Sequence, residues 1–141
     1  MIDQLGAGKT LIAVYFMKHR LNEIRRYCEA GHSKKLVIFV APTKVLVEQQ
    51  RRYIASNCDA SVKGLTGESM SKEGRLVESW GVQEWNTVLL RCDILVSTPE
   101  IIRQILQLRF IQVTLIDSVV LDECHHASGK ITKSYFAFQT K

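Results

Sequence analysis

Apolar and polar positions along this chain change period several times, and each change marks a boundary between a helix and a strand. From Thr10 to about Cys28, Leu11, Val14, Tyr15, Met17, Leu21 and Ile24 recur near helical spacing, and Gly31 closes the segment. Leu36-Val37-Ile38-Phe39-Val40-Ala41 is then an unbroken apolar run of strand length, ended by Pro42. Runs of this kind belong to strands buried on both faces. Thr43 can cap a helix reaching roughly Asn57, with Val45, Leu46, Val47 and Ile54 as its apolar contribution. Ala60 to Leu65 reads as a short strand before a Thr66-Gly67 turn, and Asp93 to Ser97 as another, closed by Thr98-Pro99. Pro99 suits the first turn of an amphipathic helix through about Leu108. Val119, Val120 and Leu121 form a last buried strand that runs into Asp122 and Glu123. The stretch between Met70 and Leu90 predicts two short helices broken near Gly81, with Trp80 and Trp85 packing on the flank of a sheet in preference to stacking on bases.

Strands alternating with helices predict an α/β fold: a mostly parallel, twisted sheet with helices on both faces, hence three layers. No internal repeat or low-complexity linker divides the chain, so residues 1–141 are expected to form a single domain. Only Met1 to Leu5 precede the glycine-rich Gly6-Ala7-Gly8, and Tyr135, Phe136 and Phe138 arrive just where the chain stops. The expectation is an incomplete domain, lacking its first strand and its C-terminal end.

Chemistry concentrates at two places. Gly6-Ala7-Gly8-Lys9-Thr10 has the makings of a phosphate-binding turn: backbone N–H groups converge at an electropositive helix N-terminus, Lys9 adds a point charge that can reach β- and γ-phosphates, and Thr10 offers a hydroxyl to a metal. The full P-loop pattern asks for glycine five positions before Gly8, where this chain has Asp3. Leu121-Asp122-Glu123-Cys124-His125 places Asp122 at the carboxyl end of a strand, where open α/β sheets bind ligands, and Glu123 beside it to polarise an attacking water. Either string alone is compatible with an ordinary turn or strand end. Together, in this order, they read as the parts of a nucleotide triphosphatase site, the first handling phosphates and the second magnesium and water.

Composition changes this picture little. With 141 residues, 46% apolar and 23% charged, the chain can bury one core and is neither disordered nor fibrous. A net charge of +5 suits an anionic partner, yet the pairs Arg25-Arg26, Lys34-Lys35 and Arg51-Arg52 taken singly read as solvated surface. Four cysteines without CxxC spacing argue for reduced thiols in a cytoplasmic or nuclear protein, and Cys124-His125-His126 alternates faces too quickly to share a tetrahedral zinc. Neither a membrane span nor a signal peptide is legible.

GAGKT, then Ala41-Pro42-Thr43-Lys44-Val45-Leu46-Val47-Glu48-Gln49-Gln50, then Thr66-Gly67, Ser97-Thr98-Pro99-Glu100-Ile101-Ile102, and finally Asp-Glu-Cys-His follow one another in this chain. The series resembles the first RecA-like domain of superfamily 2 helicases, and the Asp-Glu-Cys-His form with His126-Ala127 is similar to the Dicer and RNA-sensing branch. The resemblance implies a RecA-like P-loop NTPase fold in which Gly6, Ala7, Gly8, Lys9 and Thr10 hold the ATP phosphates and, through Thr10 and Asp122, Mg²⁺. It implies Glu123 as catalytic base and His125 as a link to a second RecA-like domain. Pro42, Thr43, Lys44, Gly67, Thr98 and Pro99 would lie along a nucleic-acid strand, mostly against phosphates, which fixes register without reading bases. Leu5 departs from the hydroxyl residue common in the family, and no adenine-reading segment or second-domain arginine is within the chain. RNA, double-stranded, is the partner favoured by the resemblance. A DNA-directed translocase and a non-catalytic binding module from a truncated gene are the alternatives.

Overall fold

The computed structural model of the chain describes residues 4–66, 85, 87–88, 91–109, 111–122 and 135–139, with the side chains of 4–9 and 135–139 outside that description. In chain order the elements are α1 (Gln4–Glu29), β1 (Leu36–Val40), α2 (Lys44–Asn57), β2 (Val62–Leu65), β3 (Ile94–Ser97), α3 (Pro99–Gln107), a single 3₁₀ turn (Val113–Leu115), β4 (Ile116–Asp122) and β5 (Tyr135–Gln139). Helix α1 ends as the glycine signal predicts. Gly31 has φ of 97°, and the His32 N–H reaches back to the Tyr27 carbonyl at 2.9 Å, the left-handed closure that glycine adopts without steric cost. Thr43 caps α2, its Oγ1 accepting from the Leu46 N–H at 3.2 Å, and Pro99 occupies the first turn of α3.

The strands form one sheet in the order β2-β3-β1-β4-β5. The first four run parallel, as alternation of strands and helices demands, while β5 lies antiparallel along β4. The register aligns their ends: Leu65 is opposite Ser97, Ser97 opposite Val40, and Val40 opposite Leu121. Four carboxyl ends therefore lie in one row, and each chain segment leaving them emerges on the same rim of the sheet.

Period-two alternation sends β1 into two cores at once. Val37 and Phe39 join Val96 and Val120 beneath Val14, Met17 and Leu21 of α1 and Val47 and Ile54 of α2. Leu36, Ile38 and Val40 face the other way, with Leu95, Trp85 and Ile101 and Ile105 of α3. This is the three-layer α/β arrangement expected. Trp85 is fully buried in the second core, the packing role read for it; Trp80 lies outside the described residues. At the edge strand, Gly64 is needed for a close approach. A Cβ there would come within 3.0 Å of Arg51 Cδ, so the bare backbone lets the arginine stem of α2 lie across β2.

One boundary differs from expectation in a way that matters for chemistry. Helix α1 begins at Gln4, so Gly6, Ala7 and Gly8 are wound into its first two turns and do not form a turn ahead of it. Once a helix is nucleated, each added residue gains one hydrogen bond, which offsets the ~1 kcal/mol helix penalty of each glycine.

Candidate nucleotide and nucleic-acid site

Asp122 is the last residue of β4 and only 6% exposed. Its backbone is paired on the β5 side, with Tyr135, and the residue before it, Leu121, is paired on the other side with Val40. The Gln50 side-chain amide, two turns into α2, stands 3.5 Å from Asp122 Oδ2. Nothing in the sequence patterns singles out Gln50 from Gln49; helix phase alone turns it toward the carboxylate. Glu123, Cys124 and His125 lie outside the described residues.

The phosphate side is α1. Thr10 is buried at 7% exposure. Gly6, Ala7, Gly8 and Lys9 are helical in backbone, and among the described residues the N–H groups with no carbonyl four residues earlier in the helix are those of the first turn, beginning at Gln4. From Gly8 onward the N–H groups point to carbonyls four residues earlier. The buried oxygens of Thr10 and Asp122, a hydroxyl and a carboxylate, are the hard donors that Mg²⁺ takes, and magnesium bound through one or two protein oxygens keeps the rest of its shell for water and phosphate. The donor set fits the ion.

On the same rim, Pro42 and Thr98 are half-buried while Thr43, Lys44 and Pro99 are exposed. Gly67 lies outside the described residues. The N-termini of α2 and α3 both open here, which places two positive helix-dipole ends beside the strand ends. The capping bond uses the Thr43 oxygen as acceptor, so the hydroxyl proton is left to donate outward. The basic pairs, by contrast, are engaged with their own surface: Arg26 with Glu23, Lys34 with Asp93, Arg51 and Arg52 with Glu48. Arg25 donates to the Asp59 carbonyl at 2.7 Å.

Residues 2–138 match the DEAD/DEAH box helicase family. The chain belongs to that family. Among curated relatives, this helicase domain is 35% identical over 126 residues to Endoribonuclease Dicer homolog 2b of Oryza sativa subsp. japonica, covering 89% of this chain and 8% of the relative. It is 37% identical over 130 residues to Endoribonuclease Dicer homolog 4 of the same plant, with 92% and 7% covered. Dicer-like protein 1 of Cryphonectria parasitica is 31% identical over 137 residues, with 94% and 8% covered. The chain thus spans less than a tenth of the length of these relatives. Family membership makes it a DEAD/DEAH box helicase domain, and no helix among the described residues is long and apolar enough to cross a membrane.

Motif reading also passed over an ion pair between the two halves of the site. Arg20 of α1 donates from Nε and Nη2 to Asp117 of β4, at 2.8 Å each, with side-chain exposures of 11% and 6%. The Asp117 hydrogen bonds raise the Arg20 pKa further above its ordinary value, against the lowering effect of burial.

Proposed function

We propose that this domain is the ATP-binding motor half of a Dicer-like, RNA-directed helicase or double-stranded RNA translocase, cytoplasmic or nuclear. The observation that supports it is the row of carboxyl ends. One rim gathers the buried Asp122 carboxylate, the Thr43 cap and the Thr98-Pro99 segment, so metal and nucleic acid would be held at neighbouring strand ends.

In this reading Thr10 and Asp122 hold magnesium, and Lys9 with the first-turn N–H groups of α1 holds the phosphates. The ion, when bound, neutralises charge on the β- and γ-oxygens. Glu123 orients and deprotonates the attacking water, His125 carries the nucleotide state to a second RecA-like domain, and Gln50 steadies the Asp122 carboxylate. Thr43 and Thr98 hydroxyls, Lys44, and the backbone at Pro42, Gly67 and Pro99 grip phosphodiester oxygens, so sequence preference is weak. Arginines from the second domain would stabilise the transferring phosphoryl group. Because such arginines are worth about 10³ to 10⁵ in rate, the domain alone is expected to be a very poor ATPase.

The test is RNA-stimulated ATP turnover by the full-length protein. Lys9→Ala and Glu123→Gln are each expected to lower turnover about a hundredfold or more. Turnover unchanged by both substitutions refutes the site, and stimulation by duplex DNA but not duplex RNA refutes the partner.

A further inference from the structure

We propose that the Arg20–Asp117 ion pair is the pin that sets the height of α1 on β4, and so the separation between the phosphate-holding and metal-holding halves of the site. The inference rests on the nucleotide reading above and adds two positioning residues to it.

The geometry begins with a local irregularity. Leu36 pairs with Ile116 but Val37 with Ser118, so β4 carries one extra residue there, Asp117. Ile116 and Val119 face the α3 core, and Val120 faces the α1 core. Strict alternation back from Val120 would place Asp117 with Val119, away from α1. A bulge re-aims a side chain, and here it turns the carboxylate to Arg20 across 97 positions of sequence.

The distances then agree. Helix α1 leads through Ala30–Lys35 into the start of β1, which runs parallel to β4, so α1 returns along the sheet with its N-terminus toward the strands' carboxyl rim. From Arg20 to Thr10 is ten residues of helix, about 15 Å along the axis. From Asp117 to Asp122 is five residues of strand, about 17 Å. Both arms leave the pin in the same direction and end at nearly the same level. The apolar side of α1, Ala13, Val14, Met17, Leu21 and Ile24, attracts the sheet through a force that carries no direction of its own. A two-toothed guanidinium–carboxylate contact fixes both translation and rotation. A slip of one helical turn, about 5.4 Å, would carry Thr10 beyond any shared octahedral ion with ligands at about 2.1 Å.

The experiment measures ADP affinity of the chain with and without Mg²⁺ by calorimetry, the ratio being the coupling between metal and nucleotide. Wild type is expected to bind ADP about tenfold tighter with Mg²⁺. The double variant Arg20→Met/Asp117→Leu replaces the pair by apolar groups, a change buried pairs often tolerate, and is expected to unfold no more easily yet to lose most of the Mg²⁺ gain while keeping its metal-free affinity. The exchange Arg20→Asp/Asp117→Arg is expected to restore part of that gain. Full Mg²⁺ gain in the apolar variant overturns the pin and leaves the site reading standing. Absence of ADP binding, or of any Mg²⁺ gain, in wild type overturns the site reading and the pin with it. If the apolar variant does not fold, Arg20→Lys decides, since it keeps the charge without the fork: an undiminished gain overturns the pin, and a reduced gain at unchanged stability supports it.

Discussion

The two halves of the candidate site are held by different means. Asp122 ends a strand bonded on both sides, two positions beyond the fully buried Val120; its own backbone is paired with β5, and Leu121 before it is paired with β1. The glycine segment forms the first two turns of a helix that touches the sheet with one face only. Just beyond it Leu11, Ile12 and Tyr15 are 38%, 56% and 62% exposed. The acidic half is a fixed platform and the phosphate half is adjustable. Cradling phosphate requires several N–H groups to converge, and those from Gly8 onward are committed to the helix, so any of them that joined the first-turn groups on a phosphate would do so by unwinding α1 at some cost in helix energy.

The largest expected effect tests the platform. Phe39 is buried at 1% exposure on the strand beside β4. Phe39→Ala should lower unfolding free energy by about 3–5 kcal/mol in urea denaturation, whereas Tyr15→Ala on the open face of α1 should stay within about 0.5 kcal/mol. Equal losses at the two positions would erase the contrast between the halves.

Next in size is the connection between them. Arg20→Met alone leaves the Asp117 carboxylate buried without its partner and should cost about 3–5 kcal/mol, which adding Asp117→Leu recovers. If the single and double variants were equally unstable, the loss would come from the arginine's packing and not from an abandoned charge.

These residues also show where a sequence reading stops. β1 and β3 were legible as continuous apolar runs, and Thr43, Pro99 and Gly31 marked helix ends because each acts through its own backbone neighbourhood. The acidic strand was read only from Val119, yet it begins at Ile116. Asp117 and Ser118 interrupt the apolar pattern, and what makes a buried aspartate tolerable is an arginine 97 positions away, which no window of local pattern contains. The start of α1 was misread for the opposite reason: glycines signal a turn locally, and helix propagation overrode them. Gln50 was invisible because its proximity to Asp122 spans 72 positions. The strand β5 carries aromatic residues that fit any buried segment, and nothing in them specifies an antiparallel neighbour.

A smaller effect sharpens the adjustable half. Gly8→Ala removes backbone freedom within a helix and should stabilise the folded chain by about 1 kcal/mol in thermal or urea unfolding. The same stiffening opposes unwinding, so ADP affinity should fall by a comparable free energy, about fivefold. Stabilisation with unchanged affinity would show that the first turns of α1 stay wound when phosphate binds.

The smallest effect concerns α2, which carries the rim's Thr43 cap at one end and Arg51 over Gly64 further along. Glu48 accepts from Arg51 and from Arg52, with Arg51 Nη2 at 2.6 Å and Arg52 Nε at 2.9 Å. The Arg51 hydrogen bond is the main cause that lowers its carboxyl from 4.5 to about 2; burial is the next largest effect and opposes it, and the Arg52 hydrogen bond adds to the fall. A carboxylate with a depressed folded pKa contributes stability that is complete above the unfolded value and disappears as pH drops through the folded one, here between 4.5 and about 2. The side chain is 49% exposed, so water and salt screen most of the pairing and about 0.3 kcal/mol should survive at neutral pH. Wild type and Glu48→Gln should therefore differ by that small amount in urea unfolding at pH 6 and converge near pH 2 or in molar salt. A difference that persisted at pH 2 would assign the effect to the arginine stem lying on Gly64, and would place α2 with the fixed, packed half of the molecule instead of the screened rim.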